Sequence, residues 1–182
     1  MRFKGDTGAY LRDTIKAMVL FGIPPEEYWP YKIGDFDLEP PAFTYSFAQA
    51  YQTVKYYRHD PPGTKPADAL ASVKQHLAAE LPSMFGFTVY SSFPSVGDGK
   101  GEIPLPTEGD KVEGGHAVVA VGYDDNKKIG SEKGALLIRN SWGKEWGDEG
   151  YGWMPYAYVE MGIAEDFWSL VQGEFIDTDL FK

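Results

Sequence analysis

Two polar residues of complementary chemistry stand near the middle of the 182-residue chain. His116 opens an apolar segment, residues 116–123, and Asn140 closes another, residues 135–140, 24 positions later. An imidazole can act as a general base near neutral pH if a neighbour holds it in one orientation and one tautomer. Because a neutral carboxamide oxygen can do this, the sequence predicts a hydrogen bond between these two side chains.

The elements that must position these residues follow from the hydrophobic pattern. Helices are predicted over residues 8–21 and 66–80, while residues 44–57 fit either a strand or a helix. Strands are predicted over residues 84–90, 116–123, 135–139, 150–155 and 167–171. A long loop is expected at residues 94–114 and a turn at residues 124–126. Helices followed by a mostly antiparallel sheet indicate the α+β class.

The region around Asn140 carries a longer motif. Residues 138–152 read Ile-Arg-Asn-Ser-Trp-Gly-Lys-Glu-Trp-Gly-Asp-Glu-Gly-Tyr-Gly, a pattern that is highly specific when it follows a correctly spaced Gly-His pair. In these segments the chain resembles the papain and cathepsin family of cysteine peptidases. The resemblance extends to residues 8–11, 28–31, 82–93 and 166–168. It implies a papain-like two-lobe fold, with the remnant of a helical lobe in residues 1–50 and a β-rich lobe in residues 51–182.

The resemblance also implies roles for matching residues. His116 would be the general base, Asn140 would orient it, and Trp142 would shield their hydrogen bond from water. Shielding strengthens such a bond because a dry site screens charge less. Substrate-cleft positions of the family match Ala9, Tyr10, Gly86, Gly115 and Ala117. The small Gly86 and Ala117 predict a roomy, apolar pocket.

The sequence contains no cysteine, although the family's nucleophile is one. Family members place it about 130–150 residues before the histidine, and His116 has only 115 residues before it. The resemblance therefore implies that the cysteine belongs upstream of Met1. The glutamine and backbone N–H that bind the oxyanion would come from the same region. This chain by itself is predicted to be inactive.

Three functions remain open from the sequence alone. In the first, peptide bonds are hydrolysed by a Cys-His-Asn site whose cysteine comes from an upstream segment or another chain. In the second, the chain is a non-catalytic pseudoenzyme that binds a peptide or a protein partner by strand-like pairing. The third, a transferase or cyclase on the same scaffold, needs the same missing cysteine.

Composition limits the classes of molecule that the chain is expected to bind. The chain has 17 Lys and Arg against 27 Asp and Glu, a formal charge of −10. This disfavours nucleic acid and anionic membranes, which both attract clustered basic residues, and no segment approaches the ~20 apolar residues of a membrane span. The histidines, His59, His76 and His116, lack metal-ligand spacing, so neither a metal nor another cofactor is predicted. His59 and His76 are predicted to be solvated surface residues.

Overall fold

The computed structural model describes residues 8–94 and 101–175. Its helices are α1 (Leu11–Phe21), α2 (Ala42–Ala48), α3 (Pro66–Ala78) and α4 (Ala157–Glu160), with short 3-10 helices at Glu26–Tyr28 and Ile33–Asp35. Its strands are β1 (Tyr51–Arg58), β2 (Ser83–Tyr90), β3 (Val112–Ile129), β4 (Glu132–Arg139), β5 (Tyr151–Pro155) and β6 (Ala164–Phe175). They form one sheet in the order β1-β6-β2-β3-β4-β5, and β2, β3, β4 and β5 pair antiparallel in turn. These elements confirm the predicted α+β class.

The chain divides into two compact units. The first unit comprises residues 1–56 and 170–182, and the second unit comprises residues 57–169. In the first unit, α1 ends at Gly22, whose backbone N–H bonds to the carbonyl of Met18. Gly22 has a φ of 76°, and an added Cβ would lie 1.7 Å from the Ala48 carbonyl oxygen, so only glycine fits there.

An aromatic cluster organises much of the first unit. Tyr28 packs against Phe47 with ring centroids 4.5 Å apart, and Phe43 stacks on Phe47 at 5.7 Å. Tyr51 at the start of β1 closes the cluster at 5.9 Å from Phe47. Such aromatic pairs each contribute about 0.5–1.5 kcal/mol beyond their area burial.

The hydrophobic core of the second unit lies between α3 and the sheet. α3 begins with Pro66 at a first-turn position, where its missing N–H is not needed. The helix buries Leu70, Val73 and Leu77, the face that its periodicity predicts. The apolar side chains buried with them are Phe85, Phe87, Phe93, Ile103, Val118, Ala120, Leu136, Ile138, Trp146, Met154, Tyr156, Tyr158, Val159, Ile163, Ala164 and Phe167. Burying one large apolar side chain contributes about 1.5–3 kcal/mol, so this cluster dominates the stability of the second unit.

Several sequence predictions change in detail. Residues 44–57 contain both predicted alternatives, α2 and then the start of β1. β3 begins at residue 112, inside the predicted loop, of which residues 95–100 lie outside the described part of the chain.

The predicted turn at residues 124–126 is wrong. β3 continues through these residues, and its pairing with β4 shifts register between Asp124 and Lys128. The backbone N–H of Asn126 donates to Oδ1 of Asp124 over 2.7 Å, a local bond that a strand irregularity accommodates. The hairpin turn instead uses Gly130, whose φ of 59° suits a glycine.

Candidate active site

Strand pairing in the second unit brings the predicted His–Asn pair together. β3 places His116 opposite Phe87 of β2. β4 pairs Arg139 with Val119 of β3, so that Asn140 leaves the sheet beside the strand that carries the histidine. His116 Nε2 lies 2.8 Å from Oδ1 of Asn140.

The partners of Asn140 determine which imidazole nitrogen carries the proton. Its Oδ1 also accepts the backbone N–H of Ser141 over 2.8 Å, which identifies this atom as the oxygen of the carboxamide. Since an amide oxygen only accepts hydrogen bonds, His116 Nε2 must donate. In the neutral imidazole the proton-accepting lone pair is therefore on Nδ1, which has no partner within residues 8–94 and 101–175.

Aromatic side chains cover the pair on one side. The Trp142 ring lies 4.9 Å from the imidazole of His116, centroid to centroid, at an angle of 32°. Trp142 packs edge-on against Phe93 at 5.7 Å and against Trp146 at 6.2 Å. Asn140 is only 8% exposed, whereas Trp142 is 44% exposed, as expected of a lid between the pair and solvent.

Trp146 supports Trp142 from below, a role that was not predicted from the sequence. Trp146 is 2% exposed and stacks on Phe93 at 5.8 Å. Its indole N–H donates to the carbonyl of Pro94 over 2.8 Å. The second tryptophan of the motif at residues 138–152 was the available signal for this role.

Glycines fix the loop that follows Asn140. The Asn140 backbone N–H donates to the carbonyl of Gly150 over 2.9 Å. Gly147 has a φ of 59°, and an added Cβ would lie 2.2 Å from the Tyr151 carbonyl oxygen. At Gly152 it would lie 2.7 Å from the ring of Trp146. Backbone approach at these positions excludes larger residues, and this gives the glycine spacing of the motif a physical cause.

A cavity of about 250 Å³ opens beside the histidine. It is lined by Gly86, Phe87, Thr88, Gly115, His116, Ile163, Glu165 and Asp166. Of the predicted cleft residues, Gly86 and Gly115 are in this lining and Ala117 is not. Ala9 and Tyr10 lie in the first unit, exposed and immediately before α1. The two carboxylates were not predicted, and they make the lining less apolar than Gly86 and Ala117 suggested.

His59 is buried, so its predicted surface position is wrong. It is 2% exposed, and its ring nitrogens lie 2.9 Å from the hydroxyls of Ser72 and Ser169. The ring of His76 is 4.5 Å away, edge-on. Burial, together with the charge of His76, lowers the pKa of His59 to about 4. A single sequence gave no sign that serines 13 and 110 residues away would satisfy this ring.

Neither a metal cluster nor a membrane span was found in the described residues. Residues 8–94 and 101–175 hold no group of three His, Cys, Asp or Glu side chains arranged to bind a metal ion. Over the same residues, each helix is too short or too polar to cross a bilayer.

Comparison with known proteins shows the family to which the chain belongs. The sequence profile of the papain family cysteine proteases matches residues 2–170. The chain therefore belongs to the papain family of cysteine proteases, as the motif at residues 138–152 predicts.

Individual relatives agree with this assignment. An uncharacterised peptidase C1-like protein of Acanthamoeba polyphaga mimivirus is 37% identical over 166 residues, which cover 90% of this chain and 51% of the viral protein. The crystal structure of xylellain, a cysteine protease from Xylella fastidiosa, superposes with a TM-score of 0.74 at 36% identity. The match covers 94% of this chain and 63% of xylellain. The bromelain protease of Ananas comosus shares the fold at a TM-score of 0.62 and 20% identity.

The chain matches only part of the length of these two relatives. The chain spans about half of the viral relative and less than two thirds of xylellain. The family match and the superposition on xylellain together establish the papain-like fold of this chain. The chain lacks the cysteine from which the family takes its name.

Proposed function

We propose that the chain is the histidine- and asparagine-bearing part of a cysteine peptidase that hydrolyses peptide bonds. The thiol would be supplied by an upstream segment or by another chain. The observation that carries this proposal is the 2.8 Å contact between His116 Nε2 and Asn140 Oδ1. It commits the Nε2 proton to the amide oxygen and leaves Nδ1 as the base atom.

In the proposed reaction, Nδ1 of His116 takes the thiol proton. The thiolate attacks the peptide carbonyl carbon, forming a C–S bond while the carbonyl electrons move to oxygen. As the C–N bond breaks, the Nδ1 proton passes to the leaving amine nitrogen. A water molecule, deprotonated by Nδ1, then hydrolyses the thioester and releases the acid. Asn140 and Trp142 act by holding the imidazole in one orientation through both proton transfers.

One donor of the Asn140 carboxamide remains without a partner in the described part of the chain. Nδ2 of Asn140 is buried and has no hydrogen-bond partner within residues 8–94 and 101–175. A buried donor left without an acceptor costs about 1–3 kcal/mol. Any group that accepts a hydrogen bond from Nδ2 would remove this cost.

The experiment that tests the proposal starts from the protein as its source produces it. We expect an intact mass above 20.3 kDa, a cysteine in the additional segment or in an associated chain, and hydrolysis of a fluorogenic peptide panel. In that form Asn140→Ala should lower kcat/KM about 10²-fold or more because the imidazole loses its orientation. Asn126→Ala, an exposed asparagine outside the site, serves as the matched control and should retain activity. A cysteine-containing form that cleaves no peptide in the panel would overturn the proposal.

A second candidate function, peptide binding without cleavage, is favoured by the absence of cysteine together with a formed cavity. The 182 residues contain no cysteine, yet the cavity beside His116 is formed. The chain alone would then be a pseudoenzyme that binds peptides without cleaving them. Gly86→Trp should abolish binding by filling the cavity, since an added Cβ meets only ordinary contacts there, at 3.9 Å. Gly109→Trp, at a position with open space around it, is the matched control. An absence of binding across a diverse peptide panel would count against this function.

A further inference from the structure

A buried hydrogen-bond bridge joins α3 to β6 within the second unit. His59, which follows β1, is 2% exposed, and its Nδ1 lies 2.9 Å from Oγ of Ser72 on α3. Its Nε2 lies 2.9 Å from Oγ of Ser169 on β6, a residue with no exposed surface. One imidazole ring therefore connects the helix to the sheet.

The bridge fits a neutral imidazole. In that form one ring nitrogen donates a hydrogen bond and the other accepts one, and each serine hydroxyl can take either role. A protonated ring donates from both nitrogens, so the hydroxyl that had donated to it must turn its proton to another acceptor. The charge of the protonated ring would also be buried, and burying an unpaired charge is costly.

A second imidazole faces the first. The ring of His76 on α3 lies edge-on to His59 with centroids 4.5 Å apart, and it stacks on Tyr57 of β1 at 5.3 Å. Nδ1 of His76 donates to the backbone carbonyl of Ser72 over 2.9 Å, since a carbonyl oxygen only accepts, and this bond holds the ring in place. Protonation of both rings would place two like charges side by side where the helix meets the sheet.

The charged groups on the sheet side are paired with one another or exposed. Arg58, next to His59, has Nε 3.2 Å from Oδ1 of Asp60 and Nη2 3.3 Å from Oδ1 of Asp166. Glu165 of β6 is exposed. None of these three carboxylates bonds to the His59 ring, so none of them balances a charge on it.

The charged groups on α3 also have other contacts. Nζ of Lys74 lies 2.5 Å from Oδ1 of Asp125 on β3, and Asp68 is exposed in the first turn of the helix. Burial, followed by the charge of His76, lowers the pKa of His59 to about 4. The surroundings of this ring thus oppose its protonation from both the sheet and the helix.

We propose that His59 and His76 form an acid-operated latch between α3 and β6, closed while His59 is neutral and opened when His59 takes a proton beside His76. Opening separates the helix from β6 locally, while β2, β3, β4 and β5 remain paired. The latch goes beyond the proposed peptidase function and does not depend on it. It would confine the closed form of the second unit to neutral and weakly acidic solution.

The pH range of the latch follows from the two environments of the ring. In the open form His59 reaches water and titrates near the ordinary imidazole value of 6.5, whereas its pKa in the closed form is about 4. The open form therefore binds more protons as the pH falls from 6.5 to 4. Its equilibrium constant for opening should rise by about 10²-fold over that range, at a factor of ten per pKa unit. Above pH 6.5 the opening should not depend on pH.

Native-state hydrogen exchange of the 182-residue chain tests the latch, because amide protection measures local opening. At pH 4, amides of residues 69–77 in α3 should exchange through an opening that depends weakly on urea, since it exposes little surface. Amides of β4 should exchange through global unfolding, which depends steeply on urea. One free energy and one urea slope for both sets at pH 4 would overturn the proposal, because α3 would then leave the sheet only when the whole unit unfolds.

Variants identify the residues responsible for the pH response. His59→Gln keeps a donor and an acceptor for the two serines but cannot titrate, so the opening of α3 should become independent of pH. His76→Gln removes the neighbouring charge, so the rise in opening between pH 7 and pH 4 should be smaller than in the wild type. His116→Gln, at a histidine outside the latch, is the matched control and should keep the full rise.

Two results for these variants would overturn the proposal. The first is an undiminished rise in either His59→Gln or His76→Gln, and the second is an equal loss of the rise in His116→Gln. If His59→Gln does not fold, the urea slopes of the wild type at pH 7 and pH 4 still decide, since the latch requires a weakly urea-dependent opening that grows by about 10²-fold.

Discussion

The two units of the molecule differ in how far their large apolar side chains are buried. In the second unit, buried aromatic and aliphatic side chains from α3, α4 and the strands form one continuous cluster. Among the described hydrophobic residues of the first unit, only Ile15 and Ala48 are buried. Its exposed large hydrophobic residues are Tyr10, Leu20, Phe21, Ile23, Tyr31, Ile33, Phe36, Leu38, Phe43, Tyr45 and Val171. The unit that holds His116 and Asn140 therefore has a complete core, and the other presents apolar surface to solvent.

This difference in burial implies a difference in how strongly each unit's own core stabilises it. Apolar area removed from water is the main stabilising contribution in a small domain. The second unit has enough of it to hold the histidine, the asparagine and the tryptophan lid in place. The first unit has the same kinds of residue but leaves most of them exposed.

The largest expected effect compares a phenylalanine from each unit. Phe85 is 0% exposed and stacks on Phe167 with centroids 4.5 Å apart, whereas Phe36 of the first unit is 62% exposed. Phe85→Ala should lower the free energy of unfolding by about 3–5 kcal/mol because it leaves a cavity in a packed core. Phe36→Ala should change it by about 0.5 kcal/mol or less.

Urea unfolding followed by tryptophan fluorescence measures both variants, since four of the five tryptophans lie in the second unit. Similar losses for the two variants would break the comparison, because they would show that the first unit relies on its apolar surface as strongly as the second relies on its core.

A pH effect of intermediate size is expected from His59 of the second unit. Its pKa is lowered from 6.5 to about 4 in the folded chain by burial and by His76. The folded state thus binds fewer protons at this ring than the unfolded state, so stability is greatest above pH 6.5 and falls as the pH approaches 4. The shift is worth about 3 kcal/mol in the free energy of unfolding, at 1.36 kcal/mol per pKa unit.

Urea unfolding at pH 7, 5 and 4 measures this loss against His59→Gln, which keeps a polar side chain but cannot titrate. The wild type should lose more stability than the variant over this range, by an amount that approaches the shift. An identical pH dependence of the two proteins would show that other groups, and not the buried histidine, cause the acid sensitivity.

The smallest predicted effect compares two glycines with the same backbone conformation. Gly147 and Gly130 both have a φ of 59°, but an added Cβ has open space at Gly130 and lies 2.2 Å from the Tyr151 carbonyl oxygen at Gly147. The left-handed conformation costs about 1–2 kcal/mol for alanine at either site. Gly147→Ala should cost about 1–3 kcal/mol more, the usual penalty of overpacking.

The difference between these two alanine variants isolates crowding from backbone conformation. Thermal unfolding gives their relative stabilities, and the histidine resonances report whether the loop after Asn140 has moved. Equal destabilisation by the two variants would show that the loop relaxes freely and does not fix the position of Asn140.

Local patterns were enough to predict much of this molecule. The spacing of Leu70, Val73 and Leu77 predicted α3, and the motif around Asn140 predicted both the His–Asn contact and the family. These predictions hold because each depends on residues close in sequence or on a motif whose glycines are sterically required.

Other features depend on contacts between distant segments, which one sequence does not encode locally. The sequence predicts His59 to be a surface residue, because the contacts of its ring with Ser72 and Ser169 form only in the folded chain. The pairing of Asp166 with Arg58 likewise spans more than a hundred residues. Residues 124–126 have turn composition but continue a strand, because pairing with β4 outweighs local preference.

The most direct test of the account is the tautomer of His116, measured by ¹⁵N NMR of the side chain at a pH where the ring is neutral. The contact with Asn140 Oδ1 predicts a proton on Nε2 and a bare Nδ1, free to take a proton from a thiol. Asn140→Ala should shift the ring toward a mixture of tautomers. A proton found on Nδ1 in the wild type would contradict the account, since the base atom would then face Asn140 and could not activate a nucleophile.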